Sequence, residues 1–412
     1  MKVNKHFPFA FIYFFVNSIG LPFGLLYTTL LTPFFYIWMV LKGKRLIIFR
    51  FFLFALPFII IHLINGVNVE VYVTSLLLVI SVYIFAYTFY TLISIGTKLE
   101  GVFKKIAIVN LILTFVAIAS LTTPYREVFW LDWTFSFSGA NFESIPRLKM
   151  LTYEPSYYAT LLVPLFAFFF ITCVLKQYPR NGFVNLLIVL FPLTLSFSFG
   201  VISGVILSIA ILFLINLPLV LTKKKLFYSF LALTFLSLII FTVLINFYAD
   251  NPFFVRLTAF LSGSDQSGRG RTTEAFQLGY LIAKEKSIWW GVGPGQLKII
   301  GDPIIKAFYG YTTDYGQVSI PNAFAETLAL YGFVGVGLRL FLEVYLFFRT
   351  NVVRNYFRTL LFVYIFIYQF TGSFTTNIAE YVIWILAFSN VFPQFDKKTR
   401  KEPKMADNLL PT

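Results

Sequence analysis

The sequence predicts an all-α polytopic membrane protein of about twelve transmembrane helices, and three observations carry that expectation. Of the 412 residues 58% are apolar and 12% charged, whereas a soluble domain carries roughly 25% charge. The apolar residues fall into runs of roughly 20, the length a helix needs to cross a bilayer. The 33 Lys and Arg residues cluster in alternate connections between those runs. Mean hydropathy is +0.80. A cytosolic enzyme, a disordered chain and a secreted disulfide scaffold are all excluded by this composition. Cys173 is the single cysteine, so no intrachain disulfide can form. With only His6 and His62 besides, neither a metal nor another cofactor is expected.

In chain order the expected spans lie near 7–20, 23–41, 46–64, 71–96, 104–121, 155–175, 182–197, 201–220, 225–247, 322–348, 357–372 and 375–394. The breaks at Gly20–Pro22 and Phe199–Gly200 are read as tight hairpins, because Gly and Pro punctuate chains in this way. With the N-terminus inside, the inner connections hold Lys42, Lys44 and Arg45, Lys98 to Lys105, Lys176 and Arg180, Lys223 to Lys225, Arg349 to Arg358, and the tail lysines. The short outer turns near Ile19, Asn65–Glu70, Phe199 and Gly372–Thr375 hold no Lys or Arg. This is the positive-inside bias. It distributes the net charge of +15 along one face and argues against a nucleic-acid groove. Residues 1–395 are expected to form one membrane-embedded domain, and 396–412 a basic cytoplasmic tail.

Two outer loops are long, about 122–153 and 248–321, and long loops in a compact chain are usually functional or disordered. Their content of Trp130, Trp133, Trp289, Trp290, Tyr125, Tyr153, Tyr309, Tyr311 and Tyr315 speaks for folded structure at the outer mouth of the bundle. Thr272–Lys286 reads as a helix in the second loop, followed by a turn at Gly291-Val-Gly-Pro-Gly295.

Three polar groups have the means for chemistry. Arg147 and Glu154 precede Pro155, which suits the first position of the sixth span, so Glu154 sits at or beside its cap. Its carboxylate is either a cap or a functional acid. Arg269 and Arg271, with Arg256 upstream, present planar forks suited to phosphate, unless Asp265 and Glu274 pair with them. Asn322 reads as the cap of the tenth span, whose first N–H groups form an expected anion site. Glu326, Arg339 and Glu343 follow within that span; ions inside a membrane are functional by default, but Arg339 and Glu343 are spaced to satisfy each other.

These residues resemble a known family, the bacterial O-antigen and capsular polysaccharide polymerases of the Wzy type, in the superfamily that includes O-antigen ligases. Three ordered segments carry the likeness: Arg147, six residues, then Glu154-Pro155-Ser156-Tyr157-Tyr158-Ala159; Arg271, the helix Thr272–Ser287 and Trp289-Trp290-Gly-Val-Gly-Pro-Gly295; and Asn322 through Leu330-Tyr-Gly-Phe-Val-Gly335. Pro321 stands where many relatives, ligases above all, have a His.

The resemblance implies a GT-C-like membrane glycosyltransferase in the bacterial cytoplasmic (inner) membrane, its site facing the periplasm. It would polymerise polyprenyl-pyrophosphate-linked repeat units without metal. A flippase and a chain-length regulator are implied as partners. The expected catalytic residues are Glu154, Arg147 and Arg271, and the expected substrate-binding residues are Arg269, Arg256, Tyr153, Asn322, Trp289, Trp290 and Glu326. The alternatives are a glycan ligase and a lipid-linked oligosaccharide flippase.

Overall fold

The computed structural model describes residues 10, 12–16, 27–44, 47–94, 99–133, 136–137, 140–141, 145–175, 182–217, 242, 266–310 and 319–397. The expected spans at 7–20 and 225–247, Arg256, Asp265 and the basic tail lie wholly or largely outside those residues.

The described chain is mostly helical. In order, α1 is Tyr27–Leu41, α2 Ile47–Ile64, α3 Val69–Ser94, α4 Leu99–Ser120, α5 Pro155–Val174, α6 Gly182–Leu195, α7 Phe199–Ile215, α8 Gln266–Arg271, α9 Thr273–Lys284, α10 Gly301–Tyr309, α11 Ala323–Arg349, α12 Tyr356–Tyr368 and α13 Ile378–Phe388. Five helices (α2, α3, α4, α5 and α11) are long and apolar enough to cross a membrane, and α6, α7, α12 and α13 are apolar but shorter. Helix α5 lies at the centre: Tyr158, Ala159, Leu161, Leu162, Ala167 and Phe168 are all buried, packed among α6, α7, α12 and α13. By contrast α2 turns Phe49, Leu53, Phe54 and Ile64 outward, the surface expected where lipid replaces water.

The first long loop departs from the all-α expectation. After a helical turn at Arg126–Phe129, β1 (Trp130–Trp133) pairs antiparallel with β4 (Ile145–Leu148), and β2 (Ser136–Phe137) with β3 (Ala140–Asn141). Trp130 anchors this hairpin: its indole Nε1 donates to the Ala117 carbonyl at 2.7 Å. Alternating Ile145-Pro-Arg-Leu148 fits a strand with one buried edge, and Leu148 is fully buried while Arg147 is not.

The tenth expected span is also corrected. Helix α11 is broken at Gly332, which takes φ 63° and ψ −164°. In a straight helix residues 323 and 339 would lie about 24 Å apart. Instead Nη1 of Arg339 reaches the Ala323 carbonyl at 3.5 Å and the Thr327 hydroxyl at 3.2 Å, so the two halves fold back on each other. The glycine turn at 291–295 stitches this hinge. Val292 and Gly293 donate to the carbonyls of Ala329 and Leu330, ending the first half. Phe333 and Val334 donate to the carbonyls of Ile288 and Trp289, starting the second. Four backbone groups that a broken helix would orphan are thereby satisfied.

Segments that the charge pattern assigns to one side meet one another. Asn68, in the turn after α2, exchanges hydrogen bonds with Gln296 of the second long loop at 3.0 and 3.1 Å. On the other side Asn355 bonds Asp396, and Lys397 lies over the Tyr356 ring.

Candidate functional site: a cavity where two long loops converge

Pro155 starts α5 and leaves Glu154 as its N-cap with extended backbone, φ −146°. The backbone does the capping: the Glu154 carbonyl accepts from Tyr158 N–H at 3.2 Å and from the Thr152 hydroxyl at 2.8 Å. The carboxylate makes no capping bond. It faces Arg271, whose Nη2 lies 3.8 Å from Oε1. Of the two roles the sequence leaves open for this carboxylate, the helix cap is therefore not the one observed.

Arg271 ends α8, and its position is fixed from its backbone. The Nδ2 of Asn322 donates to the Arg271 carbonyl at 2.7 Å and to the Phe370 carbonyl at 2.6 Å, while Oδ1 accepts from Ala325 N–H at 2.8 Å. Asn322 is fully buried. One side chain thus ties the second loop, the start of α11 and the turn after α12 together. The expected anion site at this helix start is overturned: Ala323 and Phe324 N–H donate to the carbonyls of Gly372 and Gln369, and Glu326 N–H to that of Asn322. Nor does Asn322 line the cavity; it acts behind Arg271.

Arg147, on β4, donates from Nε to the Ser196 carbonyl at 3.3 Å. Burial pushes its guanidinium below the ordinary value, the Glu154 carboxylate opposes that, and the Arg271 charge adds to it. Arg147 is therefore within electrostatic reach of both other members of the expected catalytic set.

Tyr153, Glu154, Ser156, Tyr157, Arg271, Pro321, Tyr368, Ser373, Phe374 and Asn377 line an open cavity. Tyr153 and Tyr157 stand side by side, ring centroids 5.1 Å apart. Sequence reasoning missed Tyr157, Tyr368, Ser373 and Asn377. Tyr157 carried a usable signal, one helical turn from Glu154; Tyr368 ends α12, and Ser373 and Asn377 sit in the short turn that follows, far along the chain.

The remaining expected residues lie elsewhere. Arg269 pairs with Glu274 at 3.0 Å. Glu326 Oε2 accepts from Thr375 N–H at 2.6 Å, so it holds the turn rather than lining the cavity. Trp289 and Trp290 belong to the α11 hinge, where Trp290 packs edge-on to Phe58 and its carbonyl meets His62 Nε2 at 2.7 Å. Arg339 is bonded to Glu343, Gln369 and Glu380.

Chemically, the cavity presents a carboxylate, the Arg271 guanidinium and aromatic faces at the junction of three connections, and Arg147 is near enough for its charge to couple with Glu154 and Arg271. No family model, curated protein or solved structure matches the chain.

Proposed function

We propose that the chain is a polysaccharide polymerase of twelve spans and GT-C-like fold, in the cytoplasmic membrane of a bacterium, with this cavity facing outward. Its substrates are a polyprenyl-pyrophosphate-linked glycan as donor and a second lipid-linked repeat unit as acceptor. The observation that carries the reading is the meeting of Glu154 and Arg271, which come from two separate loops, in the lining of one cavity, with Arg147 within electrostatic reach of both.

In the proposed step an acceptor hydroxyl oxygen attacks the anomeric carbon of the donor. The bond from that carbon to the pyrophosphate oxygen breaks, and the electron pair leaves on the pyrophosphate. The hydroxyl proton passes to the Glu154 carboxylate. Arg271 and Arg147 offset the charge developing on the leaving group, which in a poorly solvated site contributes several kcal/mol. Before substrate enters, Arg271 holds the carboxylate; when pyrophosphate binds, the guanidinium is drawn to it and the carboxylate is released as a base. The tyrosine faces suit sugar rings, apolar with a polar edge. Against a transporter stands the saturation of Arg339, whose partners are all internal; such a group is structural rather than a step on a transport path.

The test is deletion of the gene, with surface glycan separated on a gel. Loss of the ladder, with a single repeat still attached to its acceptor, is the expected result. Loss of all attached glycan would point to a ligase, and an unchanged ladder would reject both.

A further inference from the structure

The wall of the cavity formed by the turn between α12 and α13 carries polar groups that the proposed transfer step does not use. Ser373 and Asn377 both line the cavity, and each is only 7% exposed. The Ser373 hydroxyl donates to Oε2 of Glu380 at 2.7 Å and accepts from Nδ2 of Asn377 at 2.9 Å. Glu380 is buried. Its Oε1 takes the guanidinium of Arg339, which is itself held by Glu343 at 3.1 Å and Gln369 at 2.6 Å.

Counting protons and lone pairs fixes what this wall can offer. A serine hydroxyl has one proton and two lone pairs. The proton of Ser373 is committed to the Glu380 carboxylate, which also pairs with Arg339, and one lone pair is taken by Asn377. Only an acceptor remains. Asn377 Oδ1 accepts from Ala379 N–H at 3.0 Å and one Nδ2 hydrogen goes to Ser373, which leaves one donor hydrogen. An acceptor and a donor 2.9 Å apart suit a hydroxyl, which is both at once. They suit a phosphate poorly, because its oxygens only accept and would meet the Ser373 lone pair.

The backbone supplies a second, independent observation. Ser373 is held at φ 70°, a region that residues with a Cβ rarely occupy. Strain of this kind persists where the surroundings over-determine it, and it clusters at functional sites. Here Glu326 fixes the neighbouring Thr375 N–H and Tyr381 the Thr375 carbonyl.

We infer that Ser373 and Asn377 form a hydroxyl-recognising subsite for the saccharide, with Glu380 and Arg339 as positioning residues that lock its hydrogen-bond polarity. This inference rests on the glycosyl-transfer reading of the same cavity.

The experiment uses purified full-length protein and the lipid-linked repeat units that accumulate in the deletion strain. Ser373→Ala removes the bond to the saccharide together with the bonds to Glu380 and Asn377; it should raise the apparent KM by about 3–10-fold with kcat close to wild type, and lower the thermal midpoint. Such a split indicates lost binding rather than lost folding. Asn377→Asp keeps the Oδ1 cap of α13 but exchanges a donor for an acceptor, and should raise KM at least as much. Glu380→Gln frees the Ser373 hydroxyl to reverse and should also raise KM. Wild-type KM in both Ser373→Ala and Asn377→Asp would overturn the subsite while leaving the polymerase reading intact. Wild-type protein that extends no chains would overturn both.

Discussion

Gly332 and Trp289 touch backbone to backbone: a Cβ on Gly332 would fall 2.3 Å from the Trp289 carbonyl carbon. The reciprocal contact holds between Gly291 and Leu330, where an added Cβ would lie 2.4 Å from the carbonyl carbon. Both glycines have positive φ, so neither position admits a side chain. The glycine-rich turn therefore works as a clamp on the break in α11, and its N–H groups are spent on helix carbonyls rather than on a phosphate.

Gly332→Ala should cost about 2–5 kcal/mol, from backbone strain together with overpacking. Thermal unfolding of the detergent-purified protein would read this as a clear fall in midpoint, or as failure to accumulate. Gly337, with nothing within 4 Å of an added Cβ, is the control. There Ala should be neutral or stabilising by up to about 1 kcal/mol, since it is the better helix former.

Asn322→Ala removes the tie between Arg271, Phe370 and the start of α11. A lost cap costs about 1–2 kcal/mol of stability. A loosened Arg271 should slow chain extension by about 10–100-fold, the penalty for misplacing a catalytic group. Arg269→Ala, which removes the partner of Glu274 only, should leave extension near wild type at equal protein level. Equal rates in the two variants would show that Asn322 does not position the site.

Much of the helical fold was legible because apolar run length and breakers are local signals. Pro155, with Glu154 before it, marked the start of α5, and α9 falls inside the expected Thr272–Lys286. The break in α11 was not legible in the same way. Residues 322–348 read as one apolar run, and Gly332 announces a hinge only when Trp289 is seen against it. The short β hairpins were hidden for a similar reason, since strand pairing between β1 and β4 is set by contacts across a loop. At the site, Glu154, Arg147 and Arg271 stood out because charges are scarce in this chain. Asn322 was noticed for its capping position, which the structure keeps, and for an anion site, which it removes because α12 and its following turn already accept those N–H groups. Ser373 and Asn377 are small polar residues in a nine-residue turn between helices, with no pattern to single them out.

Chain extension should persist in excess chelator. In the proposed step the positive charge offered to the leaving group comes from Arg271 in the cavity and from Arg147 nearby, and guanidinium can take the place of a cation there. Activity that disappears with chelator and returns with magnesium or manganese would reject this part of the mechanism.

Orientation follows from the charge asymmetry. In a Cys173→Ser background, Tyr125→Cys and Trp289→Cys, both at exposed positions, should react with a membrane-impermeant thiol reagent added to intact cells stripped of their outer barrier. Lys42→Cys should react only after the membrane is opened. Labelling in the reverse pattern would place the cavity on the cytoplasmic side.

The rate of chain extension by Glu154→Gln tests the central claim most directly. Glutamine keeps the shape and the backbone cap of α5 but removes the charge that faces Arg271 and nearly all the basicity. If the carboxylate takes the acceptor proton, extension by protein that inserts and accumulates normally should fall by about 10²–10⁴-fold, and Arg271→Lys should fail in parallel because the planar fork is lost. An extension rate in Glu154→Gln within about threefold of wild type, far less than the loss of a general base produces, would contradict the account and leave Glu154 a structural partner of Arg271 alone.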